Sequence, residues 1–440
     1  MKDSTAGSLP RILGHRDLVL VTIGNVIGSG IFIVPAGVLM AARGDVGLAS
    51  LVWIAGGLLT LLGAFTYAEL GAMKPEAGGL YAYLRDAFGG LLAFLYGWAL
   101  FLVVAPATIA ALAVAFTNYL GQFVELSPVA GKAVAIGLIA VIAVLNVRGT
   151  RQSADVLNWA TGIKVGAILA MALFLFARGG ELAHAPAFTT PVDGPLLAAL
   201  GAGMIGVLWA YEGWHYVGFS AGEAQNPQRD FGRAIVGGTL ILCALYLLAS
   251  LAYVAALGPE RGAASTRIAA DAVSALYGSA AGKLIAAAIL VSMFSAAHAT
   301  ALTSPRAFFA MARDRVFFQK LAEVHPRWGT PAFAVMVSCA WAAVMAASGT
   351  FEELLNFVVV TGWAFYALGA ASLFWYRRHA PQAPRPYRTP FYPLTPALFV
   401  AGAGGLVLNQ LVTDPKHALA GIGITLLGIP VYLFWHRRSR

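Results

Sequence analysis

The chain has 440 residues, of which 59% are hydrophobic and only 11% charged; soluble domains carry roughly 25% charge, so most of this chain has no water-facing surface. The formal net charge is +9, yet the cations fall between apolar stretches, where they set membrane orientation rather than form a nucleic-acid-binding face. Cys243 and Cys339 both lie in apolar stretches, a pattern that suggests two small buried hydrophobes and neither a disulfide framework nor a metal cluster. Residues 1–16 are polar and show no A-x-A pattern after the first apolar run, so no cleavable signal is expected.

A helix needs about 20 mostly apolar residues to cross a bilayer. Twelve such spans are expected, near 17–42, 47–70, 89–120, 128–147, 154–178, 196–222, 234–257, 280–312, 331–348, 353–376, 391–411 and 416–436. With the N-terminus cytoplasmic, 21 of the 29 Lys and Arg fall on the cytoplasmic side and 7 on the other, with Lys164 inside a span. That bias predicts both termini inside, since an odd number of spans would expose Arg437, Arg438 and Arg440 on the wrong side.

The first span contains Gly24-Asn25-Val26-Ile27-Gly28-Ser29-Gly30-Ile31-Phe32-Ile33-Val34-Pro35. In a helix interior Gly costs about 1 kcal/mol and Pro about 3, and apolar flanks place this weak point deep in the membrane. Unwinding there frees backbone groups that lipid cannot satisfy. The N–H groups near Ser29, Gly30 and Ile31 would then open a second half-helix whose positive end suits an anion such as a carboxylate. The competing reading is close helix packing through small residues.

The fifth span carries Lys164. From its apolar flanks alone it reads equally as a snorkelling lysine or as a buried functional cation. The sixth span is interrupted by Trp209-Ala210-Tyr211-Glu212-Gly213-Trp214-His215-Tyr216, and a carboxylate and an imidazole at membrane depth are expensive unless they face a cavity. If spans one to five repeat as six to ten, both interruptions open a repeat, and paired interruptions are the best sequence pointer to a transporter site. No P-loop is present and no two histidines have metal-ligand spacing such as H-E-x-x-H, so ATP-driven transport and a membrane enzyme are disfavoured. A channel is weaker still, because paired half-helices suit a closed site. No metal or cofactor is expected.

Several stretches together carry a family pattern: Ile27 to Phe32; Tyr67-Ala68-Glu69-Leu70 with Pro75, Gly78-Gly79 and Tyr81 to Leu84; Trp209 to Trp214 with Glu223, Asn226-Pro227 and Arg229; and Thr303-Ser304 with Arg306 and Ala312-Arg313-Asp314. On these the chain resembles amino acid permeases of the amino acid–polyamine–organocation superfamily, and within it the bacterial relatives of the L-type amino acid transporter family. The resemblance implies an all-α integral membrane protein of LeuT-like fold: a single transmembrane domain over 1–440, with a 5+5 inverted repeat (about 17–178 and 196–376), helices 11 and 12 at about 391–436, and discontinuous helices 1 and 6.

It further implies that the substrate α-carboxylate meets N–H groups near Gly28, Ser29, Gly30 and Ile31. The α-ammonium is expected against carbonyls near Ile27 and in Trp209, Ala210 and Glu212, with Gly213 at the break. Trp209 is the expected closing aromatic, and Tyr246 a helix-seven tyrosine near the substrate, each with packing as its alternative. Lys164 is implied to stand where sodium-dependent relatives hold a cation, which predicts a sodium-independent exchanger of small neutral L-amino acids such as alanine, serine, threonine or glycine. A proton-coupled symporter using Lys164, Glu212 or His298 is the alternative, although His298 reads more readily as a satisfied packing histidine. A cytoplasmic gate network of Glu69, Arg229 and Arg313 is expected. The partners are the amino acid and the lipid bilayer of the cell (inner) membrane. The segment Gly121 to Pro128 has no cysteine, so no covalently linked heavy subunit is expected.

Overall fold

The computed structural model describes residues 9–349, 351–413 and 415–438, with side-chain surroundings left out at 351–360, 413, 417 and 436–438. Lys2 and Arg440, and the side chains of Arg437 and Arg438, used above for orientation, lie outside this description. Among the described residues the chain is built from helices, with one isolated β-bridge between Leu13 and Ala224.

The first span is two helices, α1 (His15–Val26) and α2 (Gly30–Ala41), bent 48° at the break. Then follow α3 (Val46–Met73), a short α4 (Leu80–Phe88), α5 (Gly90–Leu120), α6 (Pro128–Val147) and α7 (Thr150–Arg178). Within α5, Leu100–Val104 is a π-helical stretch. The sixth span is α8 (Gly194–Ala210) followed, after a break, by a 3₁₀ segment, Trp214–Glu223. The remainder comprises α9 (Pro227–Ala264, kinked at Gly258), α10 (Ile268–Tyr277), α11 (Ser279–Thr303), α12 (Pro305–Arg313), α13 (Ala332–Ser348), α14 (Phe351–His379), α15 (Leu394–Thr413), α16 (Pro415–Leu426) and α17 (Gly428–Arg438).

Among the described residues nine helices are long and apolar enough to cross a membrane, ten with the bent pair α1–α2 taken as one span. The two other expected spans coincide with α13, which is 17 residues long, and α14. The architecture is all-α with the first and sixth spans interrupted, as the LeuT-like expectation requires. Two elements escaped the sequence reading. α4 and α10 are too short to register as spans, and each occupies the matching place in its half of the chain, between the second and third helices that follow the start of a repeat.

The helices sort into two groups. α2 packs on α8, α1 on α9, and α9 on α3; α11 packs on α5, and α13 on α5 and α6. Both breaks belong to the first group and face the second. One contiguous core of Leu, Ile, Val, Ala and aromatic side chains runs through both groups. Asp45 caps α3 through the Leu48 N–H (3.0 Å). It also accepts the N–H groups of Phe188 (2.8 Å), Thr189 (2.8 Å) and Thr190 (3.0 Å), tying the α7–α8 connection to α3. Burial alone would raise its pKa, but these four donors outweigh burial and hold the carboxyl at about 2.

Candidate functional site

α1 ends at Ile27, whose torsions are extended (φ −71°, ψ 93°), and α2 starts after Ser29. A helix beginning at Gly30 leaves its first N–H groups without intrahelical acceptors, and its positive end faces the gap. The carbonyl end of α1 is satisfied by other helices. Lys164, 1% exposed, donates from Nζ to the Gly24 oxygen at 2.9 Å and the Ile27 oxygen at 2.7 Å. The Ser292 hydroxyl lies 3.1 Å from the Ile27 oxygen and 3.0 Å from that of Gly28, and the Tyr246 hydroxyl donates to the Val26 oxygen at 3.2 Å. An ammonium at the negative end of a half-helix is the favourable pairing of charge and dipole.

In the sixth span the Tyr211 N–H bonds Val207 at 3.0 Å and the Glu212 N–H bonds Trp209 at 2.9 Å, closing α8. Gly213 then turns the chain in the left-handed region (φ 108°), where an L side chain is strained. The two breaks touch. A Cβ on Gly213 would stand 2.8 Å from the Asn25 oxygen, and one on Gly30 would stand 2.8 Å from the Ala210 Cα. Glu212 is 9% exposed and accepts from the Tyr366 hydroxyl at 2.6 Å. His215 is buried against the Tyr366 ring, centroids 4.1 Å apart, and neither of its nitrogens has a partner.

Between the breaks lies a cavity of about 40 Å³, room for roughly three water molecules at about 10–15 Å³ each. Asn25, Val26, Gly28, Ser29 and Gly30 line it from the first break and Trp209, Ala210, Glu212, Gly213 and Tyr216 from the sixth span. Thr108, Ala111 and Leu112 of α5 and Ala296 and Thr300 of α11 complete it. The structure therefore brings together Gly28, Ser29, Gly30, Trp209, Ala210, Glu212 and Gly213 of the expected site residues. Ile27, Ile31 and Tyr246 are buried but stand behind the cavity wall, and the Ile27 carbonyl is already bound by Lys164 and Ser292. The Ser29 hydroxyl is buried in the wall without a partner. Chemically, the cavity offers a positive half-helix end on one side, and a negative half-helix end with a carboxyl on the other. That arrangement orients a small zwitterion. Among the described residues no three His, Cys, Asp or Glu side chains converge to hold a metal ion.

Polar ties outside the cavity lining join the ends of several helices. Arg306 and Glu223 form a fully buried ion pair (2.8 Å) that also engages Thr150, whose hydroxyl lies 2.9 Å from Glu223 Oε1. The Ile12 and Leu13 N–H groups bond the Glu223 carbonyl at 2.8 and 2.9 Å, and Asp17 at the start of α1 pairs with Arg151 of α7 at 2.8 Å. The expected network of Glu69, Arg229 and Arg313 does not form. Glu69 instead pairs with Arg377 (2.7 Å) and Arg385 (3.2 Å). Arg229, its side chain 76% exposed, lies 3.9 Å from Asp230, and Arg313 lies over the Phe309 ring. The reason is distance along the fold: Glu69 ends α3 beside the end of α14, which sequence proximity cannot reveal.

His298 is the packing histidine of a complete network. Its Nε2 lies 3.0 Å from the Ser153 carbonyl, which only accepts, so Nε2 carries the hydrogen. Nδ1 then accepts from Asn146 Nδ2 at 3.0 Å, and the Ser153 hydroxyl donates to Asn146 Oδ1 at 2.6 Å. This geometry joins α6, α7 and α11 and offers no acceptor for a second ring proton.

Comparison with known proteins is consistent along the whole chain. The family model described as amino acid permease matches residues 13–429. The serine/threonine exchanger of Bacillus subtilis (strain 168) is 33% identical over 436 residues, covering 98% of both chains. The human large neutral amino acids transporter small subunit 2 is 31% identical over 450 residues, covering 98% of this chain and 82% of the relative. The human cystine/glutamate transporter is 31% identical over 432 residues, covering 96% and 85%.

Proposed function

The chain belongs to the amino acid permease family, and on that premise we propose that it is a sodium-independent exchanger of small neutral L-amino acids working by alternating access. The observation that carries the sodium-independent part is Lys164. Its ammonium occupies the carbonyl end of α1, where a bound cation would otherwise be needed to satisfy the Gly24 and Ile27 oxygens. The small cavity supports small substrates, and the serine/threonine specificity in the name of the bacterial relative fits it. The substrate α-carboxylate is assigned to the N–H groups of Gly28 to Ile31, and its α-ammonium to the end of α8 and Glu212. Trp209 is the closing aromatic, while Tyr246 and Lys164 hold the first break from behind. Relatives that are transporters leave the membrane-enzyme reading without support.

The chain is a multi-pass membrane protein. The Lys and Arg bias supports a cytoplasmic location for both termini in the cell (inner) membrane. The repeat reading, about 17–178 and 196–376 with 391–436 appended, is supported by α4 and α10 at matching places. The segment 121–127 has no cysteine, which supports function without a covalently linked heavy subunit.

Competition in proteoliposomes tests the substrate class. Unlabelled alanine, serine, threonine and glycine are expected to suppress uptake of labelled L-serine, whereas lysine, glutamate and tryptophan are not. Uptake of no amino acid above protein-free vesicles contradicts the reading.

A further inference from the structure

Glu212 is the group that substrate orientation alone leaves unexplained. The other charged side chains around the breaks are compensated: Lys164 by two carbonyl oxygens, Glu223 by Arg306, Asp17 by Arg151. Glu212 has a single hydrogen bond, from Tyr366, and among the described residues no ion pair. The groups that face it are phenols: Tyr366 from α14, Tyr67 from α3, Tyr96 from α5 and Tyr216 from its own segment. His215, also on its own segment, packs on the same Tyr366 ring. From α1 comes Asn25, which donates one amide N–H to Val21 and accepts from Thr303, and from α11 Thr300, whose hydroxyl donates to Ala296; both side chains are neutral. From α7 come Lys164, whose ammonium is held by the Gly24 and Ile27 oxygens, and Arg151, which is paired with Asp17.

A carboxylate withdrawn from water without a cation is costly, so a carrier that closes around Glu212 must enclose a positive charge with it. Two are at hand: a proton, or the α-ammonium of the amino acid, which the negative end of α8 also attracts.

We propose that Glu212 is a charge-compensation site, taking a proton in the empty carrier and the substrate α-ammonium in the loaded one. This rests on the amino acid exchange reading. When the amino acid binds, the Glu212 O–H bond breaks, the proton leaves to water on the open side, and the carboxylate pairs with the ammonium. Release on the other side reverses the step, with a proton drawn from that side. Where protons are scarce, the empty carrier lacks a cation and cannot close, so transport requires an amino acid in both directions. Acid on the side of release supplies the proton, the empty carrier returns, and exchange becomes net amino acid uptake with a proton moving the opposite way.

The test is uptake of labelled L-alanine by the purified full chain in proteoliposomes, with alanine-loaded or empty lumens, at neutral and at acidic pH, the pH being equal inside and out. The wild type is expected to need internal alanine at neutral pH and to lose much of that need at acidic pH. Glu212→Gln, neutral at both, loses the ion pair to the ammonium, so its uptake is expected to be slower, and the uptake that remains is expected to be independent of internal alanine at either pH. If Glu212→Gln keeps the wild-type requirement for internal alanine, or if acid leaves that requirement unchanged in the wild type, the proposal is overturned. A binding measurement guards against a variant that fails to fold. Adding alanine to weakly buffered, acidic wild-type protein in detergent is expected to release up to one proton per alanine bound, and binding without release overturns the proposal. Absence of counter-flow in the wild type at either pH contradicts the exchange reading itself, while the proton-release measurement still decides the role of Glu212.

Discussion

The two broken spans are built alike and finished differently. At the first break, the carbonyl oxygens of Gly24, Val26, Ile27 and Gly28 are engaged by Lys164, Tyr246 and Ser292, from three different helices. At the second, Glu212 has one partner and His215 none. The difference separates anchoring from exchange. Groups already satisfied by the protein fix the geometry of a site, whereas a buried polar group left incomplete is where something that comes and goes must complete it.

The largest effect is expected from removing the anchor. Lys164→Ala strips two charge-assisted donors from buried carbonyls, each worth about 1.5–3 kcal/mol. Exchange should fall by tenfold or more, at about 1.4 kcal/mol per tenfold, together with a lower melting temperature in detergent. Exchange near the wild-type rate would show that the first break does not depend on its anchor.

Gly213→Ala probes the contact between the breaks. A left-handed backbone with a side chain costs on the order of 1–3 kcal/mol, and the new Cβ would press on the Asn25 oxygen at 2.8 Å. Transport is expected to drop by roughly tenfold, read as the initial rate of labelled serine uptake. An unaffected rate would mean that the two breaks need not touch.

Away from both breaks, Asp45→Ala should cost stability and leave substrate preference unchanged. The Asp45 carboxyl is held at about 2 in the folded protein, below its ordinary value of about 3.9. Its contribution, on the order of 2 kcal/mol, is therefore fully present above about pH 4 and lost as pH falls toward 2. Melting temperatures of wild type and variant should converge as the pH is lowered through that window, and a constant gap would contradict it.

The smallest effect is expected at His298. Because its network is closed, His298→Gln should reduce stability by about 1 kcal/mol without moving the pH dependence of uptake. A shifted pH profile would transfer the titrating role from the second break to this network.

Both breaks were legible in the sequence because their signals are local: three glycines in seven residues at Gly24–Gly30, and a carboxylate and imidazole inside an apolar run at Glu212 and His215. The cavity wall from α5 and α11 was not. Thr108 and Thr300 each bond the carbonyl four residues back, Val104 at 2.7 Å and Ala296 at 3.1 Å, the usual behaviour of threonine in a membrane helix. Nothing in their immediate neighbours marks them as site residues. The partners of Glu69 and Glu223 were hidden for a different reason, since Arg377 and Arg306 arrive only when distant helices assemble. α4 and α10 were hidden by length, because a window tuned to about 20 apolar residues passes over helices of 9 and 10.

The most direct test of the central claim is counter-flow of labelled L-serine into serine-loaded proteoliposomes, with sodium on both sides and with sodium replaced by choline. Equal accumulation in the two media is the expected result, because in the proposed reading the Lys164 ammonium stands in for the cation. Accumulation only when sodium is present, or none above protein-free vesicles, would contradict it.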